Sequence, residues 1–201
     1  MRSIKVFAIA AAVLATAQAA EAQTPRFVLE ARGGFAIPTG EWNDEDVLDN
    51  GFGFGGNVKA MVTPMVGVYA GWETYTFGID DEDAGDVEAD ATDAGFRAGL
   101  ALNIPVAAYP SITPFVEAGA IYNTLEIGAS DEGTSVEIES DAGIGFEAGI
   151  GLSAALGPNL SVTPSVRYRS HDASFDELEE FDDDSVTVSY VVFGIGLAFR
   201  L

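Results

Sequence analysis

Four Thr-Pro dipeptides, each opening a short apolar segment, constrain this 201-residue chain more than any other feature. They stand in Thr24-Pro25-Arg26-Phe27, Thr63-Pro64-Met65-Val66, Thr113-Pro114-Phe115-Val116 and Thr163-Pro164-Ser165-Val166, the last three spaced 50 residues apart. Proline has no N–H to give a ladder, so within a sheet it belongs at the first residue of a strand. The tetrad therefore marks four strand starts after turns. A period of this length reads as a β-hairpin with its loop. Between the four starts lie glycine-rich alternating segments at 51–62, 94–104, 142–156 and 186–201. The sequence thus predicts eight antiparallel strands, four in each direction, closing as an up-and-down β-barrel.

The connections are of two kinds. Those around 63–65, 105–111 and 157–159 are short and hold few charges, whereas 38–50, 78–93, 126–141 and 172–185 are long and carry 5, 8, 6 and 8 acidic residues. Short turns at one end and long loops at the other describe a transmembrane barrel of an outer membrane. Val136-Glu137-Ile138-Glu139 alternates within the third loop, which predicts that its two strands continue beyond the bilayer as a hairpin.

The N-terminus reads as an export signal: Arg2 and Lys5, an apolar stretch over 6–17, and the small-x-small triplet Ala20-Glu21-Ala22. Cleavage is expected before Gln23, with Ala17-Gln18-Ala19 as the second choice. This gives a signal peptide over 1–22 and one barrel domain over 23–201. The mature part keeps 7 basic and 31 acidic residues, a balance that repels nucleic acid. Without cysteine there is no disulfide, thiolate metal site or lipoprotein anchor, all compatible with an oxidising compartment. No segment after the signal reaches 18 consecutive apolar residues, so a membrane is crossed by strands and not by a helix.

Successive strand residues face opposite sides, and here one side of each strand is bulky and apolar. Examples are Phe27, Leu29, Ala31 and Phe35 in the first strand, Phe52, Phe54, Val58, Ala60 and Val62 in the second, and Val191, Phe193, Ile195, Leu197, Phe199 and Leu201 in the last. The opposite set is glycine, small residues and charge. It holds Arg26, Arg32, Lys59, Arg97, Arg167, Arg169 and Arg200 together with Glu30, Glu73, Glu117 and Glu147. A basic side chain turned to mid-bilayer lipid costs about 2–4 kcal/mol, so the charges select the lumen and the apolar set faces lipid. Phe35, Phe54, Trp72, Phe96, Tyr122, Phe146, Tyr168 and Phe193 then supply one outward aromatic per strand as a girdle. A soluble barrel would reverse the faces and mix both signs of charge over its surface.

In order along the chain, Gly33-Gly34-Phe35-Ala36-Ile37-Pro38-Thr39-Gly40, Val66-Gly67-Val68-Tyr69-Ala70-Gly71 and Thr113-Pro114-Phe115-Val116-Glu117-Ala118-Gly119-Ala120 resemble the outer-membrane barrels that include OmpA transmembrane domains and OmpX-type proteins. The last strand is similar to that family's assembly signal, with Gly196 followed by Phe199 and Leu201; leucine replaces the usual final aromatic, and Gly194 stands at the usual polar position. The resemblance implies an outer-membrane location and contact with lipid and lipopolysaccharide. It also implies handling by periplasmic chaperones and the barrel-assembly machinery. A monomer is expected, with no cofactor and no cell-wall anchoring domain.

Three candidate sites follow. Glu30, Glu73, Glu117 and Glu147 can pair with Arg32, Lys59, Arg97, Arg167 and Arg169 in the lumen, either as a packed plug or as a narrow porin-like path. Inward glycines such as Gly67, Gly99, Gly149 and Gly151 are expected to leave room for water. Asp80, Asp81 and Asp83, and Asp182, Asp183 and Asp184, offer weak divalent-cation binding, but without the spacing of an EF-hand loop. Some small outer-membrane barrels are lipid A deacylases or acyltransferases. The only histidine, His171, lies near Ser170, Asp172 and Ser174, but on the inward side and without the deacylases' His-x-Ser spacing. The reading is a non-enzymatic barrel with a structural and surface-display role; a channel and a lipid A-modifying enzyme are the alternatives.

Overall fold

The computed structural model describes residues 26–40, 48–79, 88–131, 134–175 and 185–201. The expected signal peptide, the first Thr-Pro pair and the loop acids Asp80, Asp81, Asp83, Asp182, Asp183 and Asp184 lie outside these residues. The strands are β1 (Arg26–Pro38), β2 (Leu48–Met61), β3 (Val66–Ile79), β4 (Glu88–Asn103), β5 (Ile112–Asp131), β6 (Thr134–Glu139), β7 (Gly143–Ala155), β8 (Leu160–Ser174) and β9 (Ser185–Arg200).

Every pairing is antiparallel. Apart from β6, neighbours in sequence are neighbours in the sheet, and β1 pairs with β9 from Val28↔Arg200 to Pro38↔Tyr190, which closes the ring. β6 pairs only with the outer part of β5, from Glu126↔Glu139 to Asp131↔Thr134, and β7 takes over from Asn123↔Gly143 downward. β6 and β7 are thus two lengths of one stave, and the barrel has eight. The hairpin expected from Val136-Glu137-Ile138-Glu139 is present, with Ile127 opposite Ile138.

Three strands run further toward the long-loop end than the sequence reading placed them. β2 begins at Leu48, not at 51, β4 begins at Glu88, not at 94, and β8 reaches Ser174; β5 reaches Asp131, as the expected hairpin requires. The acidic residues there hid an inward alternation of Ala91, Asp93, Leu125 and Ala173, all fully buried. Ala91, Leu125 and Ala173 join Ala36, Phe77, Phe175, Val188 and Val192, with the rings of Tyr75 and Tyr190, in an apolar cluster that fills the lumen toward the long loops.

The faces are inverted relative to a soluble protein. Phe52 is 69% exposed and Ile144 77%, whereas Glu73 and Arg169 are 0% exposed. The inward set is also richer in aromatics than expected, because Tyr69, Tyr75, Phe77, Phe115 and Tyr190 all point inside.

Candidate functional site

Parity along each strand decides which side chains enter the lumen, and the tilt and closure of the sheet decide which of them meet. All nine charged residues singled out in the sequence, Glu30, Arg32, Lys59, Glu73, Arg97, Glu117, Glu147, Arg167 and Arg169, are buried and lie in one connected network. Arg97 on β4 is its hub. It reaches Glu73 on β3 at 3.0 Å, Glu117 on β5 at 3.3 Å and Glu147 on β7 at 2.6 Å, with its guanidinium 4.5 Å from the ring centre of Tyr69. Tyr69 in turn donates to Glu147 at 2.6 Å.

Other pairs cross the lumen. Arg167 on β8 lies 2.7 Å from Glu73 and donates to the Tyr75 hydroxyl at 2.9 Å. Arg32 on β1 pairs with Glu30 at 2.7 Å and approaches Glu73 and Glu117 at 3.7 and 3.6 Å. Lys59 pairs with Glu117 at 2.8 Å. Glu30 further accepts from Thr163 at 2.5 Å and from Asn57 at 3.1 Å. Staves on opposite sides of the barrel are therefore tied together at mid-height.

Asp93, the last residue of the acidic stretch 78–93 expected to be a loop, instead lies in β4 and completes this arrangement. Its carboxylate accepts from Asn123 at 2.8 Å and from the Tyr190 hydroxyl, and lies 3.0 Å from His171 Nε2. Arg169 donates to the Tyr190 hydroxyl at 2.8 Å and lies 3.7 Å from Glu73. The signal was available: Asp93 shares the inward alternation of Arg97, four residues on. His171 is buried on the inward side, as its parity predicts, and its partner is Asp93. The serines beside it in sequence are not bonded to it.

With Asp93 counted, the buried carboxylates of the described residues are Glu30, Glu73, Asp93, Glu117 and Glu147, against Arg32, Lys59, Arg97, Arg167 and Arg169. Their formal charges balance, five of each sign, around the His171 ring.

The inward glycines are not water pockets. A Cβ on Gly99 would strike the Tyr69 hydroxyl at 2.6 Å, one on Gly67 the Met61 sulfur at 2.8 Å, and those on Gly149 and Gly151 the Arg167 stem and Phe115 ring. The glycines admit large side chains from facing strands.

On the outer face the eight aromatics form arcs. Phe35 meets Phe52 at 5.0 Å between ring centres, Phe54 meets Trp72 at 6.3 Å, and Phe146 meets Tyr168 at 5.9 Å, while Phe96 stands opposite both Trp72 and Tyr122 and Phe193 opposite Phe35. In β9, Gly196 faces the lumen beside Thr163 and Glu30, whereas Phe199, and Leu201 just past the strand's end, are exposed. Among the described residues no group of three or more His, Cys, Asp or Glu side chains is placed to hold a metal.

A family model described as outer membrane protein beta-barrel domain matches residues 7–200. Among solved structures the chain is similar to Neisserial surface protein A, at 14% identity and a TM-score of 0.60 over 87% of this chain and 97% of that one. It is similar to OprG of Pseudomonas aeruginosa at 13% identity and a TM-score of 0.60, covering 88% and 96%. The third is the outer membrane protein W of E. coli, with 22% identity, a TM-score of 0.53 and coverage of 89% and 99%. At these identities the likeness is one of fold. No curated protein matches the chain in sequence.

Proposed function

The chain belongs to the outer membrane protein β-barrel domain family, and from that membership we propose that it is a plugged, non-enzymatic barrel that stiffens the outer membrane and displays acidic loops, rather than a standing pore. The observation that supports this reading is the neutral network of five buried cations and five buried carboxylates at mid-height, capped by the apolar cluster. An ion crossing the lumen would have to separate pairs such as Arg97–Glu73 and Arg167–Glu73 and then pass Phe77, Leu125 and Val188. An eight-stranded ring leaves little room beside its own side chains.

Export by the N-terminal segment, chaperone delivery and insertion by the barrel-assembly machinery through Gly196, Phe199 and Leu201 complete the proposal. The outward aromatics sit at the lipid boundary, lipid and lipopolysaccharide surround a monomer, and specificity for anything outside the cell resides in the acidic loops.

Single-channel recording in planar bilayers tests the reading, with heat-modifiable gel mobility as the check that the barrel is folded. Silence from folded protein is expected. Steady open steps that change size with Glu73→Gln would overturn the plug in favour of a narrow channel.

A further inference from the structure

Five of the seven basic residues in 23–201 are taken up by the lumen network; Arg26 and Arg200 are not. Both are exposed, and neither forms an ion pair among the described residues. Arg26 opens β1 and Arg200 closes β9, both on the inward alternation at the short-turn mouth. The register Val28↔Arg200 makes them diagonal neighbours, about 7–8 Å apart at the backbone.

They line a cavity of about 250 Å³ that opens at this mouth. Around it Asn103, Thr113, Ser153 and Ser161 present amide and hydroxyl groups. Lys59 also lines it, its ammonium 5.1 Å from the ring centre of Phe115 and already paired with Glu117 at 2.8 Å, so the uncompensated charge is that of Arg26 and Arg200. The single carboxylate lining it, Glu30, is already engaged by Arg32, Thr163 and Asn57. In a chain of formal charge −23, this is a concave positive site, at the end opposite the acidic loops.

We propose that this mouth binds a phosphate-bearing anion, held by Arg26 and Arg200. Two guanidiniums match a doubly charged group in charge, and their planar forks suit its several acceptor oxygens. A monocarboxylate would leave one positive charge uncompensated. The volume falls below the roughly 300–1,000 Å³ of drug-sized sites, so the occupant is a small phosphate or a lipid headgroup and not a nucleotide cofactor.

The test has two arms on the folded, purified protein, wild type against R26Q/R200Q and R26K/R200K. Both arginines are exposed, and heat-modifiable mobility verifies folding of each variant. In the first arm inorganic pyrophosphate is titrated calorimetrically at low salt. In the second, nanodiscs of mixed phosphatidylglycerol and phosphatidylcholine are opened in native mass spectrometry and the retained lipids counted. Saturable pyrophosphate binding that weakens at least tenfold in R26Q/R200Q, and less in R26K/R200K, assigns the site to a free phosphate compound. Preferential retention of phosphatidylglycerol that R26Q/R200Q abolishes, without pyrophosphate binding, assigns it to a headgroup. If R26Q/R200Q behaves as wild type in both arms, the proposal is wrong.

Discussion

Glu73 shows what a single buried charge does in this lumen. Arg97 and Arg167 lie within 3.0 Å of its two oxygens, and Arg32 and Arg169 stand 3.7 Å away. Removing its charge leaves cations that burial prevents water from compensating. Glu73→Gln is therefore expected to cost about 3–5 kcal/mol, the usual penalty for breaking a buried pair from one side. Urea unfolding in lipid vesicles measures it. Glu73→Leu combined with Arg167→Leu should cost less than the sum of the single substitutions, and strict additivity would show that the pair is not coupled. The sequence announced which charges enter the lumen, since parity alone sorts them. It did not announce who meets whom: Arg167 and Glu73 are 94 residues apart on opposite walls, and their meeting depends on barrel closure. Asp93 was obscured for a different reason, its acidic neighbours in sequence, although its place four residues before Arg97 was legible. Tyr69 and Tyr75 flank Glu73 on the same alternation and were equally readable.

Each strand accommodates its neighbour's bulk by withholding its own. Tyr75 lies opposite Gly53 and Tyr69 opposite Gly99 in register, and beyond Gly99 comes Gly119, whose Cβ would also strike the Tyr69 hydroxyl. Asn123 lies opposite Gly95, where an added Cβ would sit 2.6 Å from the Asn123 Cα, beside backbone that cannot turn aside. Gly95→Ala is expected to lower stability by about 1–3 kcal/mol through overpacking. Gly194 is the contrasting case on β9, its nearest neighbours standing 3.4 Å or more from the added atom. Gly194→Ala should change stability by no more than about 0.5 kcal/mol, apart from a gain from a stiffer unfolded chain. Comparing the two urea midpoints separates close packing from a general dislike of alanine in strands. Strand number, direction and the β5–β6 hairpin could all be read from Thr-Pro starts and alternation. The interior filling could not, because a glycine in sequence looks the same whether it faces water, lipid or a tyrosine.

For the molecule as a whole, the decisive property is which face meets the low-dielectric medium. Ile150, on β7, is 63% exposed and stands between Val116 of β5 and Val166 of β8, both themselves exposed. In water such a patch gains from a charge, and Ile150→Arg would leave stability almost unchanged. In a bilayer the same side chain must bring a guanidinium into hydrocarbon, at about 2–4 kcal/mol near the midplane and progressively less toward either interface. Trp72 lies in the outward aromatic arc, so its fluorescence reports the transfer of the outer face between lipid and water during urea unfolding in phosphatidylcholine vesicles. The expected result for Ile150→Arg is a loss of stability in that range with heat-modifiable mobility retained. A loss near zero would mean that the apolar band does not contact lipid at this height, and would move the membrane slab along the barrel axis. Of the two faces the exposed band alone feels the outer medium; the lumen charges stay buried and paired within the ring whatever surrounds it.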